Sequence, residues 1–225
     1  MKGSVVFLLF LGMLSSCVKH EYPTACRGSG GMAIYECEAY RWVAACDGPI
    51  ELRSAWVTTG VMTDQSLGAE CSNIAGLCIG RDAWIKNSVI HSSSSIGTFA
   101  CFYDSVVHGK LSVGEELDAH CTHFKGEVCV GGDVTAHGCR FEDKLTATSE
   151  VICLYNTHTK SIHVCPCGPY YDPQIIKLAE CSHVEGNIVF ASGRGRLVLD
   201  PTSSFQGCII GGHVIEPFEC DKLYY

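Results

Sequence analysis

Charge is scarce in this chain. Lys, Arg, Asp and Glu make up 18% of its 225 residues, against about 25% in an average globular domain. Basic residues are the scarcer kind, with 16 Lys+Arg against 24 Asp+Glu. A net charge of -8 argues against a nucleic-acid binder, because phosphate contacts need a basic surface. Proline is scarce as well, 7 residues beside 24 Gly, which excludes a proline-rich linker and leaves room for many tight bends. The short motifs that announce common chemistries are missing: there is no G-x-S-x-G elbow, no P-loop, no H-E-x-x-H and no C-x-x-C pair. What is present is apolar. Hydrophobic residues reach 47%, which excludes wholesale disorder.

Only one apolar run is long, Val5 to Leu14, preceded by Met1 and Lys2. As a helix it would cover about 15 Å, half of a bilayer core, which is too short to span. It reads as the apolar part of a secretory signal over residues 1–16. Leu14-Ser15-Ser16-Cys17 resembles the lipobox of bacterial lipoproteins. The resemblance implies cleavage before Cys17 and acylation of Cys17, with each buried methylene adding about 0.8 kcal/mol of membrane attachment. Val18, standing where an Asp would retain a lipoprotein at the inner membrane, implies the outer membrane of a bacterial envelope, facing the periplasm or the cell surface. The competing reading is an ordinary signal peptide with a chance Cys. No other run is long enough to span a bilayer.

Export places the other fifteen of the 16 Cys in an oxidising compartment. Four of them, Cys26, Cys37, Cys46 and Cys71, fall in a stretch without clear period that also carries Gly28-Ser29-Gly30-Gly31. Two disulfides there would suit a small N-terminal cap over 17–73, their connectivity open.

The centre of the chain repeats every 17 residues. One column is Leu77, Ser94, Leu111, Val128, Leu145, Ile162; a second is Ile79, Ile96, Val113, Val130, Ala147, Val164. A third runs Ala83, Ala100, Leu117, Val134, Val151, and a fourth Ile85, Phe102, Ala119, Ala136, Cys153. A fifth runs Ile90, Val107, Phe124, Phe141, His158. Among these positions only Ser94 and His158 are polar, although the chain at large is only 47% hydrophobic. Gly80, Gly97, Gly114 and Gly131 repeat in step, where a corner would call for unusual backbone angles. Within a unit the apolar residues pair at spacing two, the strand period. A unit of 17 cannot bury its own inner face, but stacked units can, at about 4.8 Å per coil. The sequence therefore predicts an all-β chain, a β-solenoid with coils of about 17 residues over 74–164. Cys165-Pro166-Cys167 breaks the period, since proline cannot donate to a ladder. It predicts an irregular loop over 165–183, including a short helix at 173–180. Further coils follow over 184–215, echoing Val130-Gly131-Gly132 in Ile210-Gly211-Gly212, with a tail at 216–225.

The units at 109–119 (GKLSVGEELDA) and 126–136 (GEVCVGGDVTA) resemble the coils of bactofilins, polymer-forming bacterial cytoskeletal proteins. The resemblance covers roughly 75–164 and, more faintly, 184–215. It implies a right-handed β-helix and end-to-end assembly without nucleotide, often at a membrane. The family typically faces the cytoplasm and is not rich in Cys, and this chain departs on both counts.

Two chemistries compete with a purely structural reading. His120, His123 and His137, with Cys139 nearby, are the candidate metal ligands, neutral imidazole and thiolate suiting zinc or copper. The plainer reading is a polar corner repeated from coil to coil, and no metal or other cofactor is expected. His91, His108, Lys125 and Glu142 form another row at the same step, and His163, Cys165 and Cys167 a third grouping. Cys78 and Cys129 share an outward phase with Ser95, Ser112 and Thr146. Glu115, Glu116, Asp118 and Asp133 could form an acid/base pair across a groove, though a solvated face explains them equally. No catalytic residue is assigned. The expected function is a membrane-anchored, non-enzymatic scaffold that self-associates through its solenoid ends and binds no nucleic acid. The alternatives are a carbohydrate-active β-helix enzyme and a metal-binding lipoprotein.

Overall fold

The computed structural model describes residues 24–27, 32–167 and 173–215. The signal segment 1–16, Cys17 and the tail 216–225 lie outside them. No helix occurs among the described residues. The strands form two parallel sheets, one of eleven strands and one of seventeen, each strand pairing with its counterpart in the next coil.

A coil has three short strands. Phe99–Tyr103 lies in the eleven-stranded sheet, the broad face; Val106–Val107 and Leu111–Val113 follow on two narrower faces. Where the chain runs straight through the second corner, as in Ala39–Ala45, Trp56–Thr63, Arg140–Ala147 and His158–Val164, the narrow faces merge, which joins them into the seventeen-stranded sheet.

The first two 17-residue columns pair as expected throughout, and the other three as far as Val134, Ala136 and Phe141. Leu111 pairs with Ser94 and Val128, and Val128 with Leu145. The inward residues are fully buried and the outward ones alternate with them. The core fills by compensation. Where the fourth column carries Phe102, the fifth carries Val107; where it shrinks to Ala119 and Ala136, the fifth swells to Phe124 and Phe141, and all six are at most 1% exposed. Phe124 and Phe141 stack at 4.8 Å. Large against small across the coil keeps the interior at crystal-like density.

Two corner devices close each coil. At the first corner, one residue per coil from Cys37 to Asn156 has a left-handed φ: Cys37 (52°), Ser54 (51°), Cys71 (52°), Asn87 (50°), Asp104 (47°), Cys121 (48°), Gly138 (63°) and Asn156 (46°); the next coil has two, Glu180 (56°) and Cys181 (66°). The left-handed turn leaves the next backbone N–H without a strand partner. A hydroxyl from the following coil accepts it. Ser72 N donates to Ser88 Oγ at 3.0 Å, Ser88 N to Ser105 Oγ at 3.2 Å and Cys139 N to Thr157 Oγ1 at 3.3 Å. At the other end of the second narrow face sits the glycine column. Its φ values lie outside the left-handed region; crowding is what demands glycine. A Cβ on Gly97 would lie 1.9 Å from Gly80 O, and one on Gly114 1.8 Å from Gly97 O.

Several expectations need correction. The stretch assigned to a cap is already solenoid: Ala33–Glu36, Ile50–Arg53 and Leu67–Glu70 are successive broad-face strands. Cys37, Cys46 and Cys71 are free and exposed. Cys37 and Cys71 occupy the same corner two coils apart, roughly 9.6 Å at the usual spacing, too far for a bridge. The backbone of Cys26 pairs with Ala44, and its side chain lies outside the described residues. The expected helix at 173–180 is a strand, Gln174–Ala179, stacked on Val151–Tyr155. The loop therefore shortens, and the coils continue across it. Gln174 Nε2 donates to Cys165 O at 2.6 Å, and residues 168–172 lie outside the described residues.

One extra residue between Ala147 and Ile152 moves the columns. Val134 pairs with Ile152, not Val151, and Ala136 with Leu154, not Cys153. Cys153 faces outward beside Thr135. The fifth column passes from Phe141 to the buried Thr159, so His158 does not break it.

Candidate functional site

The broad face carries the densest chemistry. Strict register places equivalent outward side chains one coil apart, so they must pair, stack or repel. Its outermost column begins with two ion pairs, Arg53 Nη1–Glu36 Oε1 at 2.9 Å and Lys86 Nζ–Glu70 Oε1 at 3.1 Å. Four flat rings follow: Tyr103, His120, His137 and Tyr155, with centroids 4.6, 4.9 and 4.4 Å apart and planes within 6° of parallel. Lys177, opposite Cys153 in the neighbouring column, brings its Nζ 5.6 Å from the Tyr155 centroid, a cation against the negative ring face.

This geometry bears on the metal candidates. His120 and His137 stack as the spacing suggested. Two donors on one tetrahedral zinc at about 2.0–2.1 Å would stand about 3.4 Å apart and converge; parallel rings 4.9 Å apart do not converge. His123 is beyond the Cys121 corner on a narrow face, with its Nε2 2.8 Å from Glu142. His120 Nε2 instead faces Asp118 Oδ1 at 3.1 Å. Cys139 is buried, and burial pushes its thiol up to about 11, away from the thiolate a metal needs. Among the described residues no three His, Cys, Asp or Glu side chains form a ligating group, so His163, Cys165 and Cys167 do not either. On the narrow face, His91 and His108 stack at 5.4 Å. Burial, with Lys125, His91 and His123 nearby, lowers the His108 pKa.

The carboxylates separate as well. Glu115, Glu116 and Asp133 meet Glu150 around a shallow depression of about 330 Å³, while Asp118 lies outside it under His120. Asp133 is committed to the corner: its Oδ1 accepts from Ser149 Oγ at 2.6 Å and Val151 N at 3.3 Å. On a narrow face, Glu127 bridges Lys110 Nζ (2.9 Å) and Lys144 Nζ (3.0 Å). Those two hydrogen bonds hold its carboxyl down to about 2.

A second depression, about 260 Å³, opens on the broad face among Glu51, Gly68, Glu70, Trp84, Lys86 and Tyr103. None of these residues stands out in the sequence. The one available signal was Gly68 inside Leu67–Glu70, a strand with ordinary alternation. Trp84 is 48% exposed and leans on Phe99, centroids 6.2 Å apart.

Comparison with family models, with curated proteins and with solved structures gives no match.

Proposed function

We propose that this chain is a membrane-anchored, non-enzymatic scaffold of a bacterial envelope, attached through an acylated Cys17 and associating with further copies through its coil ends. The observation that carries the reading is at those ends. Among the described residues, Ala33–Glu36 and Gly212–Ile215 each have a ladder partner on one side only. Val214 continues the inward column of Leu197 yet is 47% exposed. A strand edge with an open core column templates another strand. The likeness of 109–119 and 126–136 to bactofilin coils points the same way. The carbohydrate-active alternative has less behind it, because Asp133 and Asp118 are turned to other partners.

Two measurements test the proposal. Cys17→Ser should move the protein from membrane to soluble fractions. The mature chain, tag-free, should grow in mass with concentration by light scattering. Unchanged membrane association removes the anchor, and a monomer at every concentration removes self-association.

A further inference from the structure

Gly68 is a glycine the fold does not require. Glycine in a strand interior costs conformational entropy and gives no side chain to pack, and it often marks the close approach of a ligand. At Gly97, Gly114 and Gly131 the reason is a carbonyl less than 2 Å from the missing Cβ. At Gly68 the nearest atom to that Cβ is the flexible Glu51 Cγ at 3.8 Å, and φ is not left-handed. The result is a gap in an otherwise filled outward column, between Glu51 and Trp84, its ladder neighbours.

The walls of the gap have a definite character. Trp84 presents an exposed indole, propped by Phe99. Glu51 receives both Arg53 contacts on Oε1, which leaves its second oxygen, Oε2, as an acceptor. Glu70 meets Lys86 through Oε1, with Oε2 likewise available. Lys86 pairs with Glu70, and Arg53 is shared by Glu51 and Glu36, so the rim has no spare cation with which to select an anion, and each of its carboxylates is already engaged by one. It offers acceptors and donors in alternation beside one flat apolar wall.

We propose that this gap binds a neutral saccharide. A pyranose ring has one face of axial C–H bonds, slightly positive, which matches the negative face of an indole. Its equatorial hydroxyls both donate and accept, which matches Glu51 and Glu70 with their paired Arg53 and Lys86. An aromatic wall with a few convergent polar groups is the usual make-up of a small-ligand site. The site is a binding site only, since no carboxylate pair there is free of a cation.

The test uses the full mature chain with four probes, cello-, laminari-, malto- and chitohexaose, and free glucose, by calorimetry and tryptophan fluorescence. At least one probe should bind saturably and quench fluorescence. Trp84→Ala should weaken that binding by about thirtyfold, as loss of an aromatic anchor does. Gly68→Val, whose Cβ would meet only Glu51 Cγ at 3.8 Å, fills the gap and should weaken it similarly while the melting temperature holds or rises. Trp56→Ala, removing the exposed indole on another face, should change nothing. A hexasaccharide preferred over glucose identifies a glycan chain as the source of the ring, and equal binding a free sugar. No saturable binding up to about 10 mM, or binding that survives both Trp84→Ala and Gly68→Val, overturns the proposal.

Discussion

A Cβ on Gly131 would stand 1.8 Å from the carbonyl oxygen of Gly114. The corner carbonyl of one coil occupies the space where the next coil would carry a side chain, and the contact recurs at Gly97 and Gly114. The coil spacing is therefore set by backbone against backbone at this edge. Gly131→Ala should force the two coils apart and cost about 3 kcal/mol or more, as overpacking against unyielding backbone does. Gly68→Ala, with room to spare, should cost nothing. Urea unfolding of the two variants side by side reads the difference.

The buried hydroxyl column makes a second prediction. Ser88→Ala removes the acceptor for Ser72 N and the donor to Lys86 O. A buried N–H left without a partner should cost about 1–3 kcal/mol. Ser88→Thr should be nearly neutral, since Thr122 and Thr157 hold the same position in later coils. Equal losses for Ala and Thr would show that shape, and not the hydroxyl, matters there.

Much of this architecture was legible in the chain, and the limits have a physical cause. A fixed step of 17 aligns Leu111, Val128 and Leu145 because those coils are equal in length. One step before residue 77 is short: Val61 pairs with Leu77 and Leu67 with Ala83, both 16 apart, while Ile50 and Leu67 are 17 apart and Val43 and Val61 18. A rigid ruler slides out of phase there, so true coils looked irregular and their Cys residues looked like a cap. After Ala147 one added residue shifts Val151 and Cys153 out of the core. The first corner was legible by another sign. The pairs Cys71-Ser72, Asn87-Ser88, Asp104-Ser105, Cys121-Thr122 and Asn156-Thr157 each couple a left-handed residue to the hydroxyl that completes the corner. Of the broad-face site, only the His120–His137 stack followed from spacing. Trp84 and Gly68 draw their meaning from neighbours one coil away.

Packing across the coil makes a third prediction. Phe124 fills space that Ala119 leaves in the same coil, both fully buried. Phe124→Ala should cost about 3–5 kcal/mol. Adding Ala119→Leu should restore part of it, giving a coupling of about 1 kcal/mol in a double-mutant cycle. Strict additivity would mean the two side chains do not share a cavity.

The Lys110–Glu127–Lys144 row predicts a pH dependence. The Glu127 carboxyl is held at about 2 in the folded chain, against 4.5 ordinarily. The unfolded chain therefore takes up this proton first as pH falls. Stability from the row is complete above about pH 4.5 and is lost as pH falls through about 2. Glu127→Gln should flatten that part of the stability curve relative to the native chain, and added salt should shrink the difference. Identical acid profiles for the two proteins would contradict the assignment.

The most direct test of the stacked register is diffraction from crystals of the mature chain. Leu111, Val128 and Leu145 should lie one above another, successive Cα atoms about 4.8 Å apart along a common axis. Finding these three side chains on different faces, or separated by other strands, would contradict that register.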